Sequence, residues 1–204
     1  MPNTVWLVSH AANAAMRTGT FPPTPDPHGD AVEALDARAV QALGAWRERW
    51  QTRLADAAAV LTSPAPIARA TALAAGFDSA RCVMHAALAD ADYGAWGGRR
   101  LTDLARSEPD ALAAWTRDPA FRPPGGESFE DVRTRVGAWL DALPANPPDS
   151  GDLVAFTPAQ VIRAAILHAL GAPSTSFRHL EIAPLAVTAL RRTAHGLSWL
   201  AVSS

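Results

Sequence analysis

The sequence predicts a layered α/β fold, and three observations predict it. Short apolar runs of strand length recur along the chain, at Val5 to Val8, Ala57 to Leu61 and Asp152 to Phe156. Stretches with apolar residues at helical spacing separate them, which is the alternation of a layered α/β domain. The first run stops abruptly at Ser9-His10, so a histidine stands at the carboxyl end of a strand, where open α/β sheets keep their ligand crevice. A histidine there can also cap the strand by bonding to backbone, and the first run by itself favours that plainer role.

Composition narrows the function classes. The chain has 204 residues, enough for one domain with a substantial core, and 49% hydrophobic against 19% charged residues is globular composition. A net charge of −2 leaves no electrostatic footprint for nucleic acid or an anionic membrane. All 18 basic residues are arginine, a side chain suited to bidentate oxyanion binding. The single cysteine, Cys82, excludes an internal disulfide and a multi-cysteine metal site. No leader-like start or membrane-length apolar run is visible, and the expected location is cytoplasmic.

The elements follow in order. A breaker-rich loop from Thr18 to Gly29 carries Pro22, Pro23, Pro25 and Pro27. From Asp30 to Leu54, Val32, Leu35, Ala39, Leu43 and Trp46 mark one face of a helix. After the strand Ala57 to Leu61, Ser63 and Pro64 read as N-cap and first-turn proline of a helix through about Ala75. Arg81 to Met84 is a third, short strand. Residues 85–150 are more irregular and read as a cap-like segment of a single domain spanning 1–204. Within it, Ser128 caps an amphipathic helix carrying Val132, Val136, Trp139, Leu140 and Leu143. The strand Asp152 to Phe156 leads to a helix from Ala159 to Leu170, stopped by Gly171 and Pro173. Ala186 to Leu190 and Leu197 to Val202 suit a terminal hairpin.

Six segments, in order, resemble those of the histidine phosphatase superfamily, the phosphoglycerate mutase-like fold, over almost the full chain. Leu7-Val8-Ser9-His10-Ala11 stands where that family has LVRHG. Leu35 through Ala42 parallels its LTxxGxxQA-like helix start, and Ser63-Pro64 through Ala72 parallels SPLxRAxxTA. Asp90-Ala91-Asp92-Tyr93-Gly94-Ala95-Trp96 looks like ExxFGxW, and Gly125-Gly126-Glu127-Ser128 with Asp131-Val132 and Arg135-Val136 matches GGESxxDVxxRV. Phe156 through Arg163 stands where the family has VSHGGVIR. The resemblance implies a three-layer α/β/α sandwich with a mostly parallel central sheet. It also implies phosphoryl transfer to His10, with Glu127 as the acid that protonates the leaving oxygen.

The departures fall where phosphate would be held. Ser9 replaces the first arginine, Ala11 a glycine, Met16 an asparagine, Ile67 the second arginine and Pro158 the second histidine. Serine offers one neutral hydrogen bond, and isoleucine and proline offer no side-chain donor. Each lost oxyanion donor costs about 3 kcal/mol of transition-state stabilisation, although such losses do not add simply. Arg69 supplies a replacement only if Pro64-Ala65-Pro66 shifts the register, because helical spacing points Ile67 and Arg69 to different faces. Arg17 reads as a solvated loop charge, Arg163 as a helix-surface or paired residue, and His168 as a complement to a helix C-terminus. Tyr93, Trp96 and Phe129 read as core or rim packing, with stacking on a planar ligand as the sharper alternative.

The favoured expectation is a catalytically impaired member that keeps His10 and Glu127 and binds a small ligand or a partner in the former phosphate pocket, among Ser9, Met16, Ile67, Arg69 and Pro158. With few cations, that pocket should prefer neutral or weakly anionic ligands. The alternative is an active phosphomonoesterase working through a phosphohistidine at His10 with Arg69 or Arg17 as clamp. A third reading is an interaction protein, such as a homodimer through the apolar tail hairpin. No cofactor is expected, and no ligand-spaced pair near His10 suggests a metal.

Overall fold

The computed structural model describes residues 4–23, 34–143, 151–193 and 196–202. Pro25, Pro27 and Val32, and the Pro147, Pro148, Asp149 and Ser150 of the linker, lie outside them. A six-stranded sheet runs through the molecule in the order β3-β2-β4-β1-β5-β6. The strands are β1 (Thr4–Ser9), β2 (Ala59–Thr62), β3 (Cys82–Met84), β4 (Leu153–Thr157), β5 (Val187–Thr193) and β6 (Gly196–Leu200). The pairs β1–β4, β4–β2 and β2–β3 are parallel, and β5 and β6 add an antiparallel hairpin to the β1 edge. Leu7 faces Ala155 on one side and Thr188 on the other.

The described helices are α1 (Ala14–Thr18), α2 (Ala37–Leu54), α3 (Pro66–Ala74), α4 (Leu101–Ser107), α5 (Pro109–Arg117), α6 (Phe129–Ala142) and α7 (Ala159–Ala169). Two buried clusters on opposite faces of the sheet make three layers. Leu7, Ala155 and Leu190 pack against Val136 and Leu140 of α6 and Ile162 and Ile166 of α7. Trp6, Val8, Val60 and Phe156 pack against Leu43, Trp46 and Trp50 of α2 and Ala68 and Ala72 of α3. Alternation along β1 divides its side chains between the two clusters.

Two helix starts differ from the sequence reading. The helix ending at Leu54 begins at Ala37, not Asp30, because the Asp36 carboxylate accepts from the Ala39 N–H and caps it. The helix after β2 begins at Pro66 with Ala65 as its uncapped N-cap. Ser63 does not cap that helix; its Oγ accepts from the Ala65 N–H at 3.1 Å and closes a turn one step earlier. Ser128 does cap α6, in a reciprocal box with Asp131.

Candidate active site

The carboxyl ends of β1, β2 and β4 converge on one side of the sheet, and the segment between β3 and α6 folds over them. His10 follows β1 directly. Its backbone N–H donates to the Thr157 carbonyl at 3.2 Å, and its ring Nδ1 lies 2.9 Å from the Ala11 carbonyl. A carbonyl only accepts, so Nδ1 is the donor in this contact. The Ala11 N–H in turn donates to Thr71 Oγ1 at 3.0 Å, and that hydroxyl donates to the Ile67 carbonyl at 2.7 Å. The backbone just after His10 is therefore tied to α3.

His10 borders a cavity of about 590 Å³, within the range of small-molecule sites. Met16, Ile67 and Pro158 stand on its wall beside His10. Ser9 is buried at the strand end, its backbone paired with Ala186 and Leu185, and is not on that wall. Neither replacement arginine reaches the wall. The Arg69 guanidinium donates to Ser79 Oγ at 3.1 Å on the other face of α3. Arg17 pairs with Asp36 and donates to the Ala12 carbonyl.

The guanidinium that does line the cavity is Arg163. Helical spacing carries Ala159, Gln160 and Arg163 on one side of α7 to the wall, while Val161 and Ile162 enter the core. Arg163 Nε donates to the Leu180 carbonyl at 2.7 Å and Nη1 reaches Gln160 Oε1 at 3.4 Å. Burial lowers its pKa from the usual guanidinium value, and Tyr93, Asp90 and Glu181 act in the opposite direction. An arginine remains cationic through such changes.

The carboxylate sharing the cavity with His10 is Asp90, which stands at the glutamate of the ExxFGxW-like segment. Burial is the largest influence on its carboxyl and raises its pKa; His10 charge and the Ala91 N–H pull it back. Glu127 occupies a different place. Both of its oxygens lie 3.2 Å from Arg135, and Oε2 also accepts from the Asp92 N–H at 3.0 Å. It is not on the wall of the His10 cavity. Arg135 further donates to the carbonyls of Ala87, Ala89 and Asp90, each at 2.9 Å, and so clamps the loop that carries Asp90.

Glycine makes that clamp possible. Gly94 (φ +50°) and Gly126 bring the Asp92–Gly94 and Pro124–Gly126 backbones together, with the Glu127 N–H donating to the Asp92 carbonyl at 2.7 Å. A Cβ on Gly94 would lie 2.3 Å from the Pro124 carbonyl oxygen. Tyr93 in the same segment is buried, and burial followed by the Asp90 charge pushes its hydroxyl well above the ordinary phenol range. Its ring packs 4.9 Å from that of Phe21, which also meets Trp115 at 5.2 Å to form an aromatic wall. Trp96 is fully buried and Phe129 stacks on Phe177, both as core.

A model of the histidine phosphatase superfamily, branch 1, matches residues 5–204. The chain belongs to that superfamily. Among curated relatives, the bifunctional protein Rv2228c of Mycobacterium tuberculosis is 33% identical over 133 residues. That match takes in 64% of this chain and 36% of the longer protein, so the histidine phosphatase chain spans about a third of its relative. Among solved structures, the α-ribazole phosphatase of Shigella flexneri superposes with a TM-score of 0.81 at 20% identity, covering 98% of this chain and 96% of that one. A mycobacterial glucosyl-3-phosphoglycerate phosphatase, solved with VO3, gives 0.79 at 20% identity, covering 97% and 96%. At such identity the likeness shows the fold, a three-layer α/β arrangement around the six-stranded sheet. Among the described residues, no helix is long and apolar enough to cross a membrane.

Proposed function

We propose that this protein is a ligand-binding member of the superfamily in which phosphomonoester hydrolysis at His10 is lost or very weak. One observation carries the reading. His10 lines the cavity, yet the positions where the family would set phosphate donors are filled on the same wall by Met16, Ile67 and Pro158, none with a cationic or N–H-bearing side chain. A phosphoryl group in transfer spreads charge over three equatorial oxygens and depends on preorganised cations there. Arg163 is the one guanidinium among the described wall residues, and Asp90 adds an acidic group beside His10. The cavity is instead shaped by Phe21, Trp115, Leu101 and prolines, a surface for an apolar ligand body.

The test is a panel of phosphate esters incubated with wild type and His10→Ala from mildly acid to neutral pH. Indistinguishable, near-background rates in both proteins are expected. Turnover that disappears in His10→Ala would overturn the impaired reading.

A second reading is a phosphomonoesterase built on His10 and Asp90, and two observations favour it: the His10 Nδ1–H held by the Ala11 carbonyl and the raised pKa of the cavity carboxyl. In it, Nε2 attacks phosphorus, the ester P–O bond breaks, and Asp90 gives its proton to the leaving oxygen. Water then hydrolyses the phosphohistidine and returns the proton to Asp90. Hydrolysis abolished by both His10→Ala and Asp90→Asn, but not by Glu127→Gln, would support it.

A further inference from the structure

The charge and shape of the His10 cavity select a head group. Arg163 holds one positive charge on the wall beside Gln160, with Nε committed to Leu180 and further N–H groups on a planar fork. The uncapped start of α7, at Pro158 and Ala159, borders the same wall with the positive end of its helix dipole. A carboxylate, planar and singly charged, matches one guanidinium in both charge and geometry, whereas a phosphate monoester dianion calls for more. Asp90 lies on the same wall, and burial raises its pKa, which works against a full negative charge beside the guanidinium.

The mouth is apolar. Met16 and Leu101 are 47% and 42% exposed and both border the cavity, large apolar side chains left facing solvent at its rim. Behind them the Phe21 and Trp115 rings continue the apolar wall inward.

We propose that the cavity binds a monocarboxylate with an apolar, preferably aromatic, body, its carboxylate on Arg163 and its body against Ile67, Phe21, Trp115 and the Met16–Leu101 rim. The inference rests on reading the cavity as a binding site rather than a phosphatase centre. It differs from that reading in naming what binds.

Three probes with one body separate the head groups: 4-phenylbutanoate, 4-phenylbutanol and 4-phenylbutyl phosphate, titrated calorimetrically into the intact chain. The carboxylate is expected to bind at least tenfold more tightly than either the alcohol or the phosphate. Arg163→Gln should remove that preference, bringing the carboxylate's affinity to within about twofold of the alcohol's. Arg163 also anchors Leu180, so a second variant guards against a folding defect. Met16→Glu, at the exposed rim, should weaken the carboxylate selectively by placing like charge at the mouth. Equal binding of carboxylate and alcohol, or no binding of any probe, overturns the proposal without touching the hydrolysis result. Tightest binding of the phosphate overturns it and the phosphate-poor reading together.

Discussion

Replacing Arg135 by alanine tests how the cavity carboxyl is held. The substitution removes an ion pair to Glu127, whose side chains are 23% and 29% exposed, and three donations to the Ala87, Ala89 and Asp90 carbonyls. A hydrogen bond to a charged group contributes about 1.5–3 kcal/mol when buried, and an uncompensated buried partner costs more than the bond itself. Water can reach part of the vacated site, so the four contacts will not sum. A loss of about 3–4 kcal/mol is expected, which for a chain of this size lowers Tm by roughly 6–16 °C. Arg135→Lys keeps the charge but cannot span three carbonyls and a carboxylate, and should recover less than half of the loss. Denaturant unfolding gives the stability change, and native-state hydrogen exchange locates it in residues 86–92. A loss below about 1 kcal/mol, or full rescue by lysine, would refute the clamp.

The remaining expectations concern the cavity carboxyl and the backbone beneath it. Asp90 has a folded pKa raised above the unfolded value of 3.8, so its contribution to stability is fully present below 3.8 and is lost as pH rises through the folded pKa. Asp90→Asn should therefore match wild type in acid and exceed it in Tm near neutrality; no gap at neutral pH would count against burial as the dominant influence. Gly94→Ala should cost at least about 2 kcal/mol, from a left-handed backbone and the clash with the Pro124 carbonyl. Gly98→Ala (φ +77°), whose Cβ meets open space, should cost only about 1 kcal/mol in the same thermal melt. Equal losses at the two positions would show that the close backbone contact is not what Gly94 provides.

How much of this was legible in the sequence differs by element. Periodicity placed β1, α7 and the terminal hairpin, because their apolar patterns report directly on which side is buried. The cap of α6 was legible because Ser128 and Asp131 are three residues apart and need no distant partner. The start of α3 was not, since Ser63 spends its hydroxyl on a turn two residues on and Pro66 supplies the first helical position. Asp90 stood at the glutamate of the ExxFGxW-like segment, but that segment has no regular periodicity, and nothing local showed that Asp90 rather than Glu127 lines the His10 cavity. Arg163 could have been assigned to the wall from its spacing with Gln160, had Pro158 been used as the fixed point of the helix.

The proposed loss of hydrolysis at His10 rests on the missing oxyanion donors, so restoring them should restore the rate. Ile67→Arg combined with Pro158→His adds a guanidinium and an imidazole to the wall that His10 also lines, each donor of this kind being worth about a hundredfold or more in rate. The decisive measurement is phosphate-ester hydrolysis by this double variant, with and without His10→Ala, on protein shown to be folded. A gain of at least tenfold over wild type that vanishes with His10→Ala is the predicted result. A folded double variant no faster than wild type, or a gain that survives the loss of His10, would contradict it.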